Sequence, residues 1–122
     1  MGQDTDRWKK LEVWQVADGF ARGVYRTTGG FPREELYGMT SQLRRAALSV
    51  PTNIVEGYSR RGDRELARFL DIALGSLAES KYLLHFSKSL GYLSEEEDGA
   101  LSGHADRVGQ MLWKFYDRIR KR

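Results

Sequence analysis

Cysteine is absent from the 122-residue chain, which excludes disulfides, thiolate zinc sites and a cysteine nucleophile together. Histidine is scarce: His85 and His104 alone are too few for a histidine-rich metal centre. Proline occurs only as Pro32 and Pro51. No apolar run approaches the roughly 20 residues of a membrane-spanning helix. Residues 1–10 are polar and lack the apolar stretch of a secretory signal, so a cytoplasmic protein with no membrane partner is expected. Strand-like alternation persists nowhere. A glycine-rich phosphate loop, an H-E-x-x-H pair and a nucleophile elbow are all missing. The expectation is a protein that is not an enzyme and needs no cofactor or metal.

What remains is helical periodicity. With 40% hydrophobic and 30% charged residues, the chain has enough apolar mass for one core and one domain. Residues 1–10 read as a polar extension and residues 11–122 as the domain. The 3.6-residue repeat predicts a first helix over 11–28, with Val13, Trp14, Ala17, Phe20, Ala21, Val24, Tyr25 and Thr28 on one face. Gly29 and Gly30 are expected to stop it by taking the left-handed conformation. A second helix is predicted over 36–58, its apolar face running from Leu36 and Met39 to Ile54. Pro51 lies inside this pattern and predicts a kink rather than a break. A third helix is predicted over 63–90 with Asp63 as N-cap, and Gly91 ends it. A fourth, over 94–120, opens on the capping box of Ser94 and Glu97. Short connectors favour antiparallel neighbours. The fold class is therefore all-α, an antiparallel up-down-up-down four-helix bundle.

The stretch from Tyr37 to Tyr58, YGMTSQLRRAALSVPTNIVEGY, together with Leu11-Glu12-Val13-Trp14, Phe69-Leu70, the run from Ala73 to Glu79, and Leu90-Gly91-Tyr92-Leu93, resembles the signature of the bacterial four helix bundle protein family, also called the 23S rRNA intervening-sequence protein family. The resemblance spans about residues 11–95. It implies a small helical bundle assembling as a ring-shaped homopentamer, and in some members a gene placed inside a ribosomal RNA insertion. A related branch, the accessory variability proteins of diversity-generating retroelements, binds a reverse transcriptase and nucleic acid. The resemblance brings no catalytic residues with it.

Two sets of residues stand out as candidate sites. Gln42, Arg45, Ser49, Asn53 and Glu56 follow spacings of three or four on the second helix, and Glu79 lies in the second stripe of the third. They are expected to form a buried structural network, with Arg45 pairing Glu56 or Glu79 and Asn53 satisfying backbone opened by Pro51. A Glu56–Glu79 acid–base pair is the weaker alternative.

The second set follows from topology. Up-down-up-down order places the start of the first helix, the turn between the second and third, and the end of the fourth at one pole. That pole gathers Arg60, Arg61, Arg64, Arg68, Lys114, Arg118, Arg120, Lys121 and Arg122 with Arg7, Lys9 and Lys10, against Asp4, Asp6, Glu12, Asp63, Glu65 and Asp117: twelve bases, six acids, a surplus of six. The other pole carries Arg26, Arg33 and Lys88 against six acids, a deficit of three. A net charge of only +3 thus conceals a strong asymmetry, which suits phosphate backbones.

Finally, Ile72, Leu83, Phe86 and Leu90 form a second apolar stripe on the third helix, and Met111 and Trp113 lie off the core stripe of the fourth. Surplus apolar surface of this kind marks an interface. A homo-oligomeric scaffold binding RNA or DNA through its basic pole is expected, with a reverse-transcriptase accessory subunit and a purely structural oligomer as alternatives.

Overall fold

The computed structural model describes residues 6–122. Four helices form the architecture: α1 (Glu12–Thr28), α2 (Met39–Tyr58), α3 (Asp63–Ser89) and α4 (Glu95–Arg120). Each packs against its two neighbours around a square, α1 on α2 and α4, α3 on α2 and α4. The core runs through the middle, where Phe20, Leu43, Ile54, Leu70, Leu84 and Leu112 are wholly enclosed. The all-α bundle expected from the periodicity is therefore the observed one.

Its ends differ in places from the sequence expectation. α2 begins at Met39, not Leu36, because a 3-10 turn over Arg33–Glu35 precedes it. Leu36 consequently projects outward and is 49% exposed. The Glu35 carboxylate instead caps α2: Oε1 accepts the Met39 N–H at 3.0 Å, while Oε2 accepts the Tyr92 hydroxyl at 2.8 Å. One carboxylate thereby ties the start of α2 to the α3–α4 connection. Gly29 ends α1 with φ −59°, an ordinary helical value rather than a left-handed one. The α1 C-terminus is closed from α2 instead. Arg44 donates to the Tyr25 carbonyl at 3.1 Å and to the Thr28 hydroxyl at 2.8 Å, a cation placed where the helix dipole is negative.

Asp63 is the first residue of α3, not its cap; Gly62 holds the cap position with φ +89°, and no side chain caps the helix. At the other end of α3 the expectation for Gly91 is met. With φ +81° it lets its own N–H reach the Lys88 carbonyl at 2.9 Å and that of Tyr92 reach Ser87 at 3.0 Å, the paired bonds of a Schellman motif. The Ser94–Glu97 capping box opens α4. α2 continues without a break through the buried Pro51. Before α1, where a polar extension is expected, Arg7–Lys10 form a 3-10 turn. Its Trp8 ring lies edge-on to Trp14 at 4.7 Å.

Two predictions follow from these contacts. Gly57 sits where α2 and α3 converge, and a Cβ built on it lies 2.7 Å from the Cβ of Phe69. Neither backbone can yield cheaply, so Gly57→Ala should lower unfolding free energy by about 1–3 kcal/mol. Gly103→Ala, on an open face of α4, should raise it by about 0.5–1 kcal/mol; urea denaturation of both variants checks the contrast.

The second concerns acid. The Met39 amide and then the Tyr92 hydroxyl hold the Glu35 carboxyl below its ordinary pKa. A depressed pKa contributes stability above the unfolded value, and that contribution is lost as pH falls through the folded value. Glu35→Gln should therefore melt lower than the parent at pH 7. The gap should shrink as pH falls through the depressed folded pKa and close once Glu35 is protonated in the folded state; melting curves from pH 7 down to about pH 2 read it out.

Candidate nucleic-acid interface

Contacts across the helices bring the expected basic residues to one end. Arg7 lies over the Tyr58 ring at 5.4 Å, joining the start of the chain to the end of α2. Arg122 reaches Asp63 at 3.4 Å, joining the end of α4 to the start of α3. Leu11, Glu12 and Val13 share a groove with Lys114, Phe115 and Arg118. Asp4 lies outside the described residues. Glu56, not assigned to this end by its sequence position, belongs to it through Arg60, at 2.9 Å.

The nine nominated residues divide into two kinds. Arg60, Arg68, Arg120, Lys121 and Arg122 each pair with a carboxylate: Glu56 at 2.9 Å, Glu65 at 3.3 Å, Asp117 at 2.7 and 2.9 Å, and Asp63 at 3.4 Å. Asp117, between Lys121 and Arg120, is held below the usual carboxylate range chiefly by its hydrogen bond from Lys121. Arg61, Arg64, Lys114 and Arg118 are exposed and make no ion pair among the described residues. The paired cations are held by side chains three or four residues away or by an exposed carboxylate. Such bridges contribute at most about 1 kcal/mol, so phosphate can displace the acid.

Of the aromatic residues interleaved with these bases, Phe69 and Phe115 are buried and Tyr116 is half-buried, whereas Trp113 is 50% exposed. Phe69 is buried, with Arg68 over its ring at 4.6 Å and Arg60 at 5.3 Å. Arg118 lies over the buried Phe115 at 5.4 Å, and Arg120 over Tyr116 and Trp113 at 5.8 and 5.7 Å. Guanidinium groups at these distances compete with a nucleobase for the ring faces, least completely at the half-exposed Trp113. Exposed arginines and lysines outnumber open rings at this end, a composition suited to phosphate oxygens.

The polar stripe of α2 does not form the network expected of it. Gln42, Arg45, Glu56 and Glu79 are exposed, and only Ser49 and Asn53 are half-buried. Glu56 turns to Arg60, four residues along its own helix, rather than to Arg45, and Arg45 pairs with neither carboxylate. Glu56 and Glu79 share no contact, so the acid–base alternative has no geometry. The link between α2 and α3 is smaller and neutral: Ser49 Oγ lies 2.8 Å from Ser76 Oγ and accepts from Asn53 Nδ2 at 2.9 Å. Asn53 also donates to the Ser49 carbonyl, not to the Ala47 carbonyl that Pro51 leaves without a donor. Ser76 was missed because a serine among leucines and alanines carries no signal of its own. Among the described residues no group of three His, Asp or Glu is arranged to hold a metal ion, and no helix is long and apolar enough to cross a membrane.

Comparison with known proteins bears on most of the chain. The family model described as 23S rRNA-intervening sequence protein matches residues 9–114. No curated protein matches. Among solved structures, the crystal structure of a protein with unknown function from the S23 ribosomal protein family, from Bacteroides thetaiotaomicron VPI-5482, matches with a TM-score of 0.77. It is 20% identical, and the match covers 85% of this chain and 97% of that one. At that identity the likeness is one of fold.

The observed polar contacts predict modest energetics. Ser76→Ala removes one half-buried hydrogen bond and should cost about 0.5–1.5 kcal/mol. Glu56→Gln breaks only an exposed pair and should cost about 0.5 kcal/mol or less. Loss of either partner from a buried ion pair would instead cost about 3–5 kcal/mol. Denaturant midpoints distinguish the two cases.

Proposed function

The chain belongs to the 23S rRNA-intervening sequence protein family, and from that premise we propose that it is a non-catalytic, homo-oligomeric scaffold whose basic pole holds the phosphate backbone of RNA or DNA. One observation carries the reading: four cations without carboxylate partners, Arg61, Arg64, Lys114 and Arg118, share an end of the bundle with five more whose pairs are exposed and weak. The opposite end supports it by contrast. There Lys88 is engaged by Glu95 and Asp98, and Arg26 and Arg33 are the other two cations against six acids.

Binding proceeds by exchange. A phosphate oxygen approaches an unpaired guanidinium first, with no acid to displace. It then competes for Arg60, Arg68 or Arg122, whose carboxylate partners return to water. Because cations outnumber open rings at this end, most contacts go to phosphate and carry little base selectivity. Each phosphate neutralised releases condensed counterions, which makes affinity fall with salt at a log–log slope of about −0.9 per contact on duplex DNA.

Replacing Arg61, Arg64, Lys114 and Arg118 with serine should weaken binding to all sequences alike and flatten the salt slope by up to about 3.6. Fluorescence anisotropy from 50 to 200 mM salt measures both. Glu96→Gln, at the other end, should leave the slope unchanged. Wild-type affinity and slope in the four-serine variant would refute the basic-pole reading.

A further inference from the structure

Nine large hydrophobic side chains remain exposed among the described residues, and eight of them fall into two groups. Tyr25, Leu36, Tyr37 and Leu48 form the first, 40%, 49%, 93% and 46% exposed. They line two adjoining hollows along the α1–α2 face that share Tyr25 and Leu48. Ile72, Tyr82, Phe86 and Leu90 form the second, 41%, 58%, 39% and 48% exposed. They follow helical spacing on the outer side of α3, with the rings of Tyr82 and Phe86 edge-on at 6.1 Å. Leu83, grouped with this stripe by its sequence spacing, turns inward and is buried.

The charges around the two groups are opposite. The α1–α2 hollows carry Arg22, Arg26, Arg44 and Arg45 against the single acid Asp18, and Asp18 pairs Arg22 at 2.9 Å. Arg26 and Arg45 make no ion pair among the described residues. Around its apolar stripe the outer side of α3 carries Asp71 and Glu79, which make no ion pair among the described residues; Arg68, one turn before Ile72, is engaged by Glu65 at 3.3 Å, and Arg64 lies a further turn away, toward the basic end. Its lysines turn the other way, toward α4: Lys81 to Asp106 at 2.8 Å, and Lys88 to Glu95 and Asp98. Neither face therefore suits its own copy. Two α1–α2 faces would oppose arginine to arginine, and two α3 faces carboxylate to carboxylate. One of each gives apolar contact at the centre and opposite charge around it, with the tyrosine, phenylalanine and arginine content typical of interfaces.

We infer that the α1–α2 face of one copy docks on the outer side of α3 of the next, a head-to-tail contact between two different surfaces of the same chain. The inference rests on the homo-oligomeric reading above and specifies which surfaces meet. Each copy keeps one free face of each kind, so the contact repeats until it closes.

The test uses one lesion on each face. Leu48→Glu blocks the first and Phe86→Glu the second; Tyr37→Glu and Tyr82→Glu are the second pair. All four side chains are exposed, and circular dichroism melting verifies that each variant folds. Light scattering should give a multiple of 14.0 kDa for the parent and 14.0 kDa for each variant alone. Mixing the two kinds should restore a one-to-one dimer and nothing larger, since each variant retains the face that the other lacks. A monomeric parent would overturn the homo-oligomeric reading itself. An oligomeric parent whose Leu48→Glu and Tyr37→Glu forms still assemble would overturn the α1–α2 assignment alone. The same result for the Phe86→Glu and Tyr82→Glu forms would overturn the α3 assignment. Monomers that stay apart on mixing would overturn the pairing of the two faces.

Discussion

The closeness of α2 and α3 where they join is the constraint on which the rest depends. At Gly57 the two backbones approach until no side chain fits between them. That approach makes the turn short, with only Ser59 to Gly62 between the helices and Gly62 in a conformation that disfavours other residues. A short turn makes α3 antiparallel to α2 and gathers Arg60, Arg61 and Arg64 within one helical turn of the joint. The same joint places Asp63 within reach of Arg122 at the chain's far end. Fold and candidate interface thus share one steric origin, and a wider crossing here would disperse the charges.

The opposite end is fastened by different means. Glu35 caps α2 and holds Tyr92, and Tyr92 packs on Phe31 with ring centres 5.4 Å apart. Here a carboxylate serves as the organising group and lysine is neutralised, whereas at the basic end carboxylates only accompany arginines. The helix dipoles add to the asymmetry at α4, which begins with Glu95 to Asp98 at the acidic end and finishes with Arg118 and Arg120 at the basic one.

The helices, their order and most of the core were legible because burial imposes a period that few other constraints produce. The stripe of α4 shows it: Leu101, Ala105, Val108, Leu112, Phe115 and Ile119 are all buried. The Ser94–Glu97 box and Gly91 were legible because each has a single local geometry. Other features were decided by partners distant in sequence. Glu35 caps α2 from outside the apolar pattern, so Leu36 seemed to belong to the helix. Arg44 helps to close α1 from another helix, and Gly29 serves as C-cap in ordinary helical conformation through its own N–H. Arg45 shares a face with Glu56, but periodicity cannot show that this face points to solvent or that Arg60 reaches Glu56 first. The basic end was legible as a sum of charges; which members lack a carboxylate partner was not, since that depends on individual side-chain conformations.

The proposed contact and the basic pole meet in a symmetry argument. A head-to-tail contact that closes relates all copies by rotation about one axis. Such a rotation leaves the component of any direction along that axis unchanged. To the extent that the bundle lies along the axis, every basic pole therefore emerges on the same side of the assembly. A twofold contact between like faces with its axis across the bundle would instead send the poles of a pair to opposite sides. At physiological salt the screening length is about 8 Å, so charges on separate molecules or opposite sides of an assembly scarcely reinforce one another. Neighbouring poles on a common side do, wherever they approach within that distance. The modest surplus on each chain then becomes a continuous field suited to a long polyanion. Under the two proposals together, the α1–α2 and α3 faces would matter to binding without touching the nucleic acid: they would determine whether the separate basic ends act as one surface.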